Sequence, residues 1–467
     1  MSADPTPASP AGFPAGSPAD SAATTASRSQ GGTTLRRSLG VPTLVLFGLA
    51  YMVPMTVFTT YGIVNAITEG KLALAYAVTL VAMLFTAVSY AFLAREIPSA
   101  GAAYTYTKAG FGRHAGFLTG WTIMIDYILL PMLNYLLIGL YLNEQFSGVP
   151  AWVFSMSALV LVTVLNIVGI TVVKGANAVL VALQVVFFVI FFVLAVRAFR
   201  SDVSLLDPFI GGGVDLSLVF AGSAILCLSF LGFDAVSTMA EESKSPKRTV
   251  PVAIILTTVA GGLIFVLISW AAHLAFPEVI TGDAADTAAL VMLAEVGGDV
   301  LIALFLAAYV TGALGSALAS QASVSRILYS MGRDGVLPRR VFGVLDRRFR
   351  TPVGAILVVA AVSVTAVWAS VDFVASIVSF GALAAFSLVN LSVVSVCLLR
   401  PRRFTAGRVL LYGVVPVIGF GLTVWLWTSL TGLTLLLGIG WIVIGVIYLA
   451  ILTRGFRQAP PSLDIDG

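Results

Sequence analysis

Long runs of apolar residues, separated by short polar segments, dominate the chain from Pro42 onward. A helix needs about 20 apolar residues to cross a hydrocarbon layer of about 30 Å. Twelve runs approach that length, and the pattern therefore predicts an all-α integral membrane protein with twelve transmembrane helices. The approximate ranges are 42–67, 72–94, 115–142, 151–172, 176–198, 216–240, 250–275, 299–323, 353–370, 373–398, 408–428 and 432–453.

Two of these runs, the first and the sixth, contain residues that a continuous spanning helix avoids. Pro54 lies near the middle of the first run, where a proline removes a backbone hydrogen bond and clashes with the preceding turn. In the sixth run, Gly232 and Asp234 stand where a plain span would carry leucines. Interrupted helices of this kind form the substrate and ion sites of secondary transporters built from inverted repeats. We predict a five-plus-five inverted repeat with two additional helices; a proline kink and an unrelated packing glycine are the alternative.

Composition agrees with a protein embedded in lipid. The 467 residues are 59% hydrophobic and only 10% charged, whereas a soluble domain carries about 25% charged residues. The net charge of +4 does not indicate nucleic acid, because the basic residues lie between the apolar runs. The two cysteines fall inside apolar runs and the two histidines are far apart in sequence, so we expect no disulfide framework, no metal and no cofactor.

Lysine and arginine are unevenly distributed between the two sides of the predicted membrane. With the N-terminal tail in the cytoplasm, only Lys71, Arg197 and Arg200 of the 26 basic residues lie outside. The positive-inside rule then predicts a multi-pass protein of the cell membrane with both termini in the cytoplasm.

The Pro-, Ala- and Ser-rich tail is predicted to be disordered and lacks the apolar core of a cleaved signal peptide. The predicted divisions are a disordered tail at 1–34, a transporter core at 35–400, helices 11 and 12 at 401–455 and a cytoplasmic tail at 456–467.

Several segments carry a family resemblance. They are FLGFDAVS at 230–237 with EESKSPKR at 241–248, REIPSAGAAYTY at 95–106 and SRILYSMGRDGVLP at 325–338. These segments resemble the sixth-helix signature and the P-x-A-G-G-x-Y and R-x-x-x-x-M-x-R-D-G-x-L-P motifs of the amino acid-polyamine-organocation (APC) permeases. Ala102 replaces the second glycine of the P-x-A-G-G-x-Y motif. Within the family, helix 3 and residues 51–54 are most similar to the putrescine importers.

The resemblance implies a LeuT-like fold in which the backbone of both interruptions lines the substrate pocket. The residues implied are Tyr51, Met52, Val53 and Thr56 in the first helix and Ser229, Phe230, Gly232 and Phe233 in the sixth. Phe230, Phe233 and Tyr309 are candidates to cover the pocket and stack on an ammonium group, with core packing as the alternative for each. Gln184 lies where some relatives have a lysine in place of a bound sodium ion. Because glutamine supplies no charge, the coupling ion stays open.

Two carboxylates are predicted at membrane depth. Asp126, followed by Tyr127, lies about twelve residues into the third run, and Asp234 lies in the sixth. No lysine or arginine lies within any run at comparable depth, so a cationic substrate would supply the missing charge. Asp126, Tyr127 and Asp234 are therefore candidate substrate contacts, and Asp234 is also a coupling candidate. Protonated acids, or acids hydrogen-bonded to tyrosines, are the alternative.

We hypothesise a secondary permease that imports a small amine such as putrescine by alternating access, with a proton as the coupling ion. A permease or exchanger of neutral or cationic amino acids is the alternative, in which half-helix N-termini would hold the substrate carboxylate.

A membrane-embedded enzyme would use Asp126 and Asp234 as acid and base or as metal ligands, but the chain has no clustered histidines or D-D-x-x-D motif. It also has no Walker-type motif. Membrane lipids and a small amine or amino acid are the expected partners. A channel is a third possibility, which accelerated exchange with trans substrate would distinguish from a carrier.

Overall fold

The computed structural model describes residues 39–98, 102–168, 176–210, 213–333, 335–346, 348–349, 351–402 and 404–460. Apolar helices make up most of this part of the chain. The predicted tail at 1–34 lies outside these residues, as do 99–101, Asp334 and the end of the predicted tail at 456–467. All described residues belong to one unit that extends from Arg37 to the C-terminus.

The helices follow the predicted runs closely. Within the described residues, ten helical regions are long and apolar enough to cross a membrane, and two shorter apolar helices, Ala182–Arg197 and Val353–Trp368, complete the twelve. The bounds are α1a Val41–Met52, α1b Tyr61–Ile67, α2 Leu72–Glu96, α3 Arg113–Gln145, α4 Ala151–Val168, α5 Ala176–Arg197, α6a Leu216–Leu226, α6b Ala235–Glu242, α7 Pro246–Ala275, α8 Ala288–Arg333, α9 Val353–Ser363, α10 Val371–Val393, α11 Val415–Thr428 and α12 Gly432–Leu452. Short helical turns, Thr56–Thr59 before α1b and Cys227–Phe230 after α6a, flank the two interruptions.

The start of α8 differs from the predicted loop at this position. A 3-10 helix, Gly282–Thr287, leads directly into α8, which bends at Gly298, where φ is 65°. The predicted seventh run ended at residue 275 and the eighth began at residue 299, which left this segment outside the predicted helices. Glycine accommodates the bend, since it adopts positive φ without the strain of a side chain.

Burial separates the inner helices from the outer ones. About 72% of the most apolar stretch of α6 is buried, against 22% for α11 and 17% for α12. α2 packs mainly on α7, and α3 packs on α4, α8 and α10. Interrupted α6 therefore lies inside the bundle, whereas α11 and α12 present apolar faces to lipid.

Both predicted interruptions are present. α1a ends at Met52, and Val53 adopts a left-handed conformation with φ 45° that a β-branched residue rarely accepts. In α6, the 3-10 turn ends at Phe230, Leu231 is extended, and Gly232 has φ 135° before the chain resumes a 3-10 helix at Ala235. The prediction of discontinuous first and sixth helices is confirmed.

Candidate functional site

The two interruptions touch each other at Gly232. A Cβ atom on this glycine would lie 2.9 Å from the carbonyl oxygen of Gly48 and 2.9 Å from the amide nitrogen of Met52. It would also lie 3.2 Å from Cδ1 of Tyr51. The backbones of the first and sixth helices therefore meet at the same depth, and only a residue without a side chain fits between them.

A cavity opens beside this contact. Its walls come from the α1 interruption, the α6 interruption, α3, α8 and the start of α10. Five predicted site residues line it, namely Tyr51, Met52, Val53, Thr56 and Tyr309. The other lining residues are Thr59, Thr60, Ile63, Leu130, Leu133, Asn134, Leu137, Ile225, Leu228, Leu231, Ser316, Val371 and Ala375. Seven predicted site residues do not line it, namely Asp126, Tyr127, Ser229, Phe230, Gly232, Phe233 and Asp234.

The aromatic candidates of the sixth helix face away from the cavity. Phe230 packs edge-on against Phe265 of α7, with ring centroids 5.3 Å apart. Phe233 contacts Phe386, with ring centroids 5.2 Å apart. Leu231, between them, faces the cavity instead. In this conformation both phenylalanines therefore belong to the core, and neither covers the cavity.

Asp234 is bonded within the α6 interruption. Its Oδ1 accepts a hydrogen bond from the amide of Gly232 at 3.0 Å, and its carbonyl oxygen accepts one from the Ser237 hydroxyl at 2.6 Å. These bonds stabilise the turn that leads into α6b, because they satisfy backbone groups that an interrupted helix leaves without partners. Asp234 thus has a local structural partner inside the bundle.

Asp126 lacks such a partner. Its side chain is buried, and its Oδ1 has no hydrogen-bond partner among the described residues. The carboxylate lies close enough to Asp234 and to the hydroxyls of Tyr51 and Tyr90 to interact with them electrostatically. Asp126 is one turn of α3 from Leu130, which lines the cavity, a separation of about 6 Å along the helix. Asp126 is therefore a buried acid near the cavity wall but not part of it, and its Oδ1 has no partner in the described part of the chain.

Ion pairs in the described residues lie elsewhere. Lys71 and His273 both approach Asp207, at 3.9 and 2.9 Å, and Arg200 pairs with Glu278 at 2.8 Å. Among those residues we also find no group of three or more His, Cys, Asp or Glu side chains that could hold a metal ion. Neither membrane acid has a protein cation beside it in this part of the chain.

Residues 44–454 match the amino acid permease family model. The chain belongs to the amino acid permease family. This permease is 37% identical over 437 residues to the low-affinity putrescine importer PlaP of Escherichia coli K12, covering 92% of this chain and 96% of PlaP. It is 26% identical over 453 residues to the methylthioribose transporter of Bacillus subtilis, covering 92% and 96% of the two chains. It is also 28% identical over 445 residues to the branched-chain amino acid permease BcaP of Bacillus subtilis, covering 89% and 91%.

Family membership decides between the classes of function that the sequence left open. The permease is a membrane-spanning transporter of the APC superfamily, with the twelve-helix fold of that family. The hypothesis of a membrane-embedded enzyme is rejected, because the family and these relatives are transporters.

Four polar residues of the cavity wall, Thr59, Thr60, Asn134 and Ser316, were missed by the sequence analysis. Asn134 of the permease donates from Nδ2 to the carbonyl oxygen of Leu130 at 3.0 Å and to Oγ of Ser316 in α8 at 3.3 Å. The sequence could have indicated Asn134 as a site residue, because it lies two turns of α3 beyond Asp126 and shares its helix face. Ser316 carried no comparable signal, since serine is common in membrane helices.

Gln184 lies behind the α1 interruption of the permease. Its side chain is buried, and its Oε1 has no hydrogen-bond partner in the described ranges. A Cβ atom on Gly312 would lie 3.3 Å from Nε2 of Gln184 and 3.6 Å from Cγ1 of Val53. Gln184 is therefore near Val53 but is not part of the cavity lining.

Proposed function

We propose that this permease imports a small organic cation, with putrescine as the leading candidate, by alternating access around the cavity between α1 and α6. The observation that carries the proposal is the buried, unpaired Oδ1 of Asp126, one helical turn from the cavity wall. The 37% identity to the putrescine importer PlaP over 92% of the chain supports the same substrate class.

Asp126 is proposed to pair with an ammonium group of the substrate. A charged side chain at the middle of the bilayer costs roughly 2.5–3.5 kcal/mol on insertion scales, so an unpaired acid there is a candidate for function. Tyr51, Tyr90 and Tyr127 interact electrostatically with Asp126, and a ring face turned toward the ammonium group would attract it further. One ammonium of a diamine would contact Asp126, and the second would lie toward the cavity and its polar wall residues, Thr56 and Asn134.

A proton is proposed as the coupling ion. In this proposal Asp126 holds either a proton or the ammonium group of the substrate, so that exchange of one for the other couples their movements. Asp234, the earlier coupling candidate, already accepts the amide of Gly232, and Gln184 has no titratable group. Asp126 is therefore the better coupling site of the three.

The proposed orientation places both termini in the cytoplasm of the cell membrane. It follows from the positive-inside rule, because only Lys71, Arg197 and Arg200 fall on the opposite side. Import would then carry the substrate from the α1b and α6a side to the α1a and α6b side.

The decisive experiment compares uptake of putrescine, arginine and leucine into proteoliposomes, with and without a pH gradient. We expect putrescine to be preferred and Asp126→Asn to lower its uptake at least tenfold, since loss of a buried ion-pair partner is worth about 3–5 kcal/mol. The control is Asp202→Asn, which changes an exposed acid of the loop after α5. Equal putrescine uptake by Asp126→Asn and wild type, at matched amounts in the membrane, would refute the ion pair.

A permease of branched or other neutral amino acids is the second candidate. The cavity wall favours it, because Ile63, Leu133, Leu137 and Leu228 offer an apolar surface to a hydrophobic side chain. The 28% identity to the branched-chain amino acid permease BcaP agrees with this alternative. In that case leucine would be taken up best, and Asp126→Asn would leave leucine binding intact.

A further inference from the structure

A chain of buried hydroxyl groups joins the two interrupted helices through α2. The hydroxyl of Tyr76 in α2 lies 2.8 Å from Oγ1 of Thr60, which precedes α1b. The same hydroxyl lies 3.3 Å from Oγ of Ser229 in the α6 interruption. All three side chains are buried. Tyr76 is thus in hydrogen-bond contact with both interrupted segments.

If every hydrogen bond among these hydroxyl groups is made, the direction of donation is fixed. Thr60 donates its single hydroxyl proton to the carbonyl oxygen of Thr56 at 3.0 Å. Thr60 must then accept from Tyr76, and Tyr76, having used its own proton, must accept from Ser229. Every bond is satisfied only when the protons point from the α6 interruption toward the α1 interruption. Loss of the middle hydroxyl would break both links at once.

The ring of Tyr76 is held firmly in place. It stacks on Phe265 of α7, with centroids 5.1 Å apart and planes 26° apart. The Ser223 hydroxyl of α6a shares its proton between the carbonyl oxygen of Ala75, one residue before Tyr76, at 3.0 Å and that of Val219 in its own helix at 2.8 Å. The Thr79 hydroxyl likewise lies 3.2 Å from the carbonyl oxygen of Ser223 and 2.8 Å from that of Ala75. α2 is therefore fixed to α6a, and the Tyr76 hydroxyl extends that attachment to α1.

We propose that Tyr76 is a positioning residue, whose hydroxyl holds the α1 and α6 interruptions in one relative position and so fixes the backbone around the cavity. Buried hydrogen-bond networks define a unique geometry when every member is satisfied. Tyr76→Phe leaves the buried Ser229 hydroxyl without its partner and leaves the Thr60 hydroxyl with only the carbonyl oxygen of Thr56. The α6 interruption then opens more often, and the binding-competent arrangement of the cavity becomes less populated.

The two cysteines of the chain provide a test that does not depend on substrate identity. Cys227 is fully buried in the turn that contains Ser229, and Cys397 is buried near the end of α10. We expect N-ethylmaleimide to label Cys227 of the purified Tyr76→Phe protein at least threefold faster than wild type, while Cys397 labels at its original rate. Peptide mass spectrometry measures both sites in one sample. Equal acceleration at both cysteines, or at neither, would overturn the proposal.

Matched variants separate positioning from general loss of stability. Tyr135→Phe removes a buried tyrosine hydroxyl that has no hydrogen-bond partner among the described residues, so Cys227 labelling should stay at the wild-type rate. Ser229→Ala should accelerate Cys227 labelling as Tyr76→Phe does, and the double variant should add nothing further. Thr79→Val also loosens the α2 to α6a contact but lies outside the hydroxyl chain, so its effect should add to that of Ser229→Ala. Additive effects of Tyr76→Phe and Ser229→Ala would reject the shared chain.

Transport kinetics give a second readout. For whichever substrate the wild type carries, Tyr76→Phe should raise KM at least threefold and leave the maximal rate within twofold. The reason is that a lower population of the competent cavity weakens apparent binding in proportion. A fall in maximal rate with unchanged KM would contradict the positioning role, even if the substrate were not a cation.

Discussion

Gly232 shows how one residue type can be required by two independent constraints. Its φ of 135° is a conformation that residues with a side chain rarely adopt, and a Cβ atom would lie 2.9 Å from two backbone atoms of α1a. Backbone atoms within a packed helix have little freedom to move aside. The glycine is therefore needed both for the turn and for the contact between the two interruptions.

Gly232→Ala should consequently separate the interruptions. We expect a loss of about 1–3 kcal/mol in stability, seen as a lower melting temperature in detergent, and at least tenfold lower uptake at matched amounts in the membrane. Gly440→Ala is the control, because no atom lies within 4 Å of its added Cβ and it sits in helical α12. If Gly232→Ala melted and transported like Gly440→Ala, the contact would not constrain the site.

Sequence reasoning located the interruptions because Pro54 and Gly232 are residue types with strong backbone effects. It did not predict the left-handed Val53, since a β-branched residue in that conformation is stabilised only by the surrounding fold. It also could not orient Phe230 and Phe233. Their directions depend on the change from a 3-10 turn to an extended residue at Leu231, which composition does not encode.

At the scale of elements, the loop after α5 is attached to two neighbouring segments. Lys71, just before α2, donates to the carbonyl oxygen of Asp207 at 2.8 Å, and the carboxylate of Asp207 contacts His273 of α7 at 2.9 Å. Trp270 of α7 donates to the carbonyl oxygen of Leu205 at 2.9 Å. Asp207 therefore joins the loop both to the start of α2 and to the end of α7.

Asp207→Ala should release this loop locally. We expect faster amide hydrogen exchange across residues 199–210 and unchanged exchange in α3, because alanine removes the carboxylate that pairs with His273 and approaches Lys71. Asp202→Ala, in the same loop but at an exposed position, is the control. A uniform increase across all helices would mean that Asp207 stabilises the whole bundle instead.

The outer helices show which element contacts the sequence leaves open. α12 was predicted as an additional span, yet its Trp441 and Trp121 of α3 each donate an indole N–H to the other's carbonyl oxygen, at 2.9 and 3.0 Å. Their rings stack at 4.8 Å, and Gly445 leaves room for the Trp121 ring. Hydropathy predicts a span but not its partner, because lipid and helix faces are equally apolar.

At the scale of the whole molecule, alternating access opens the site to one side of the membrane at a time, by rocking or gating of one part of the helix bundle against the rest. In this structure their proposed cytoplasmic ends are tied together by backbone bonds. The amide of Leu39, before α1a, donates to the carbonyl oxygen of Glu242 at 3.0 Å, and the amide of Lys244 donates to the carbonyl oxygen of Leu39 at 3.0 Å. The pair forms a small parallel bridge between Leu39 and Ser243. Movement of α1a away from α6b would break both bonds.

Leu39→Pro should therefore favour the conformation open to the cytoplasm. Proline lacks the amide that bonds Glu242, and one backbone hydrogen bond is worth about 1 kcal/mol, or roughly a fivefold change in the equilibrium. Accessibility can be measured with Ser237→Cys, a buried position of α6b, in a chain whose Cys227 and Cys397 are replaced by alanine. We expect Leu39→Pro to speed labelling of inside-out vesicles by an impermeant maleimide about fivefold. Leu39→Ala keeps both backbone bonds, so equal labelling of the two variants would show that the bridge does not hold the cytoplasmic side closed.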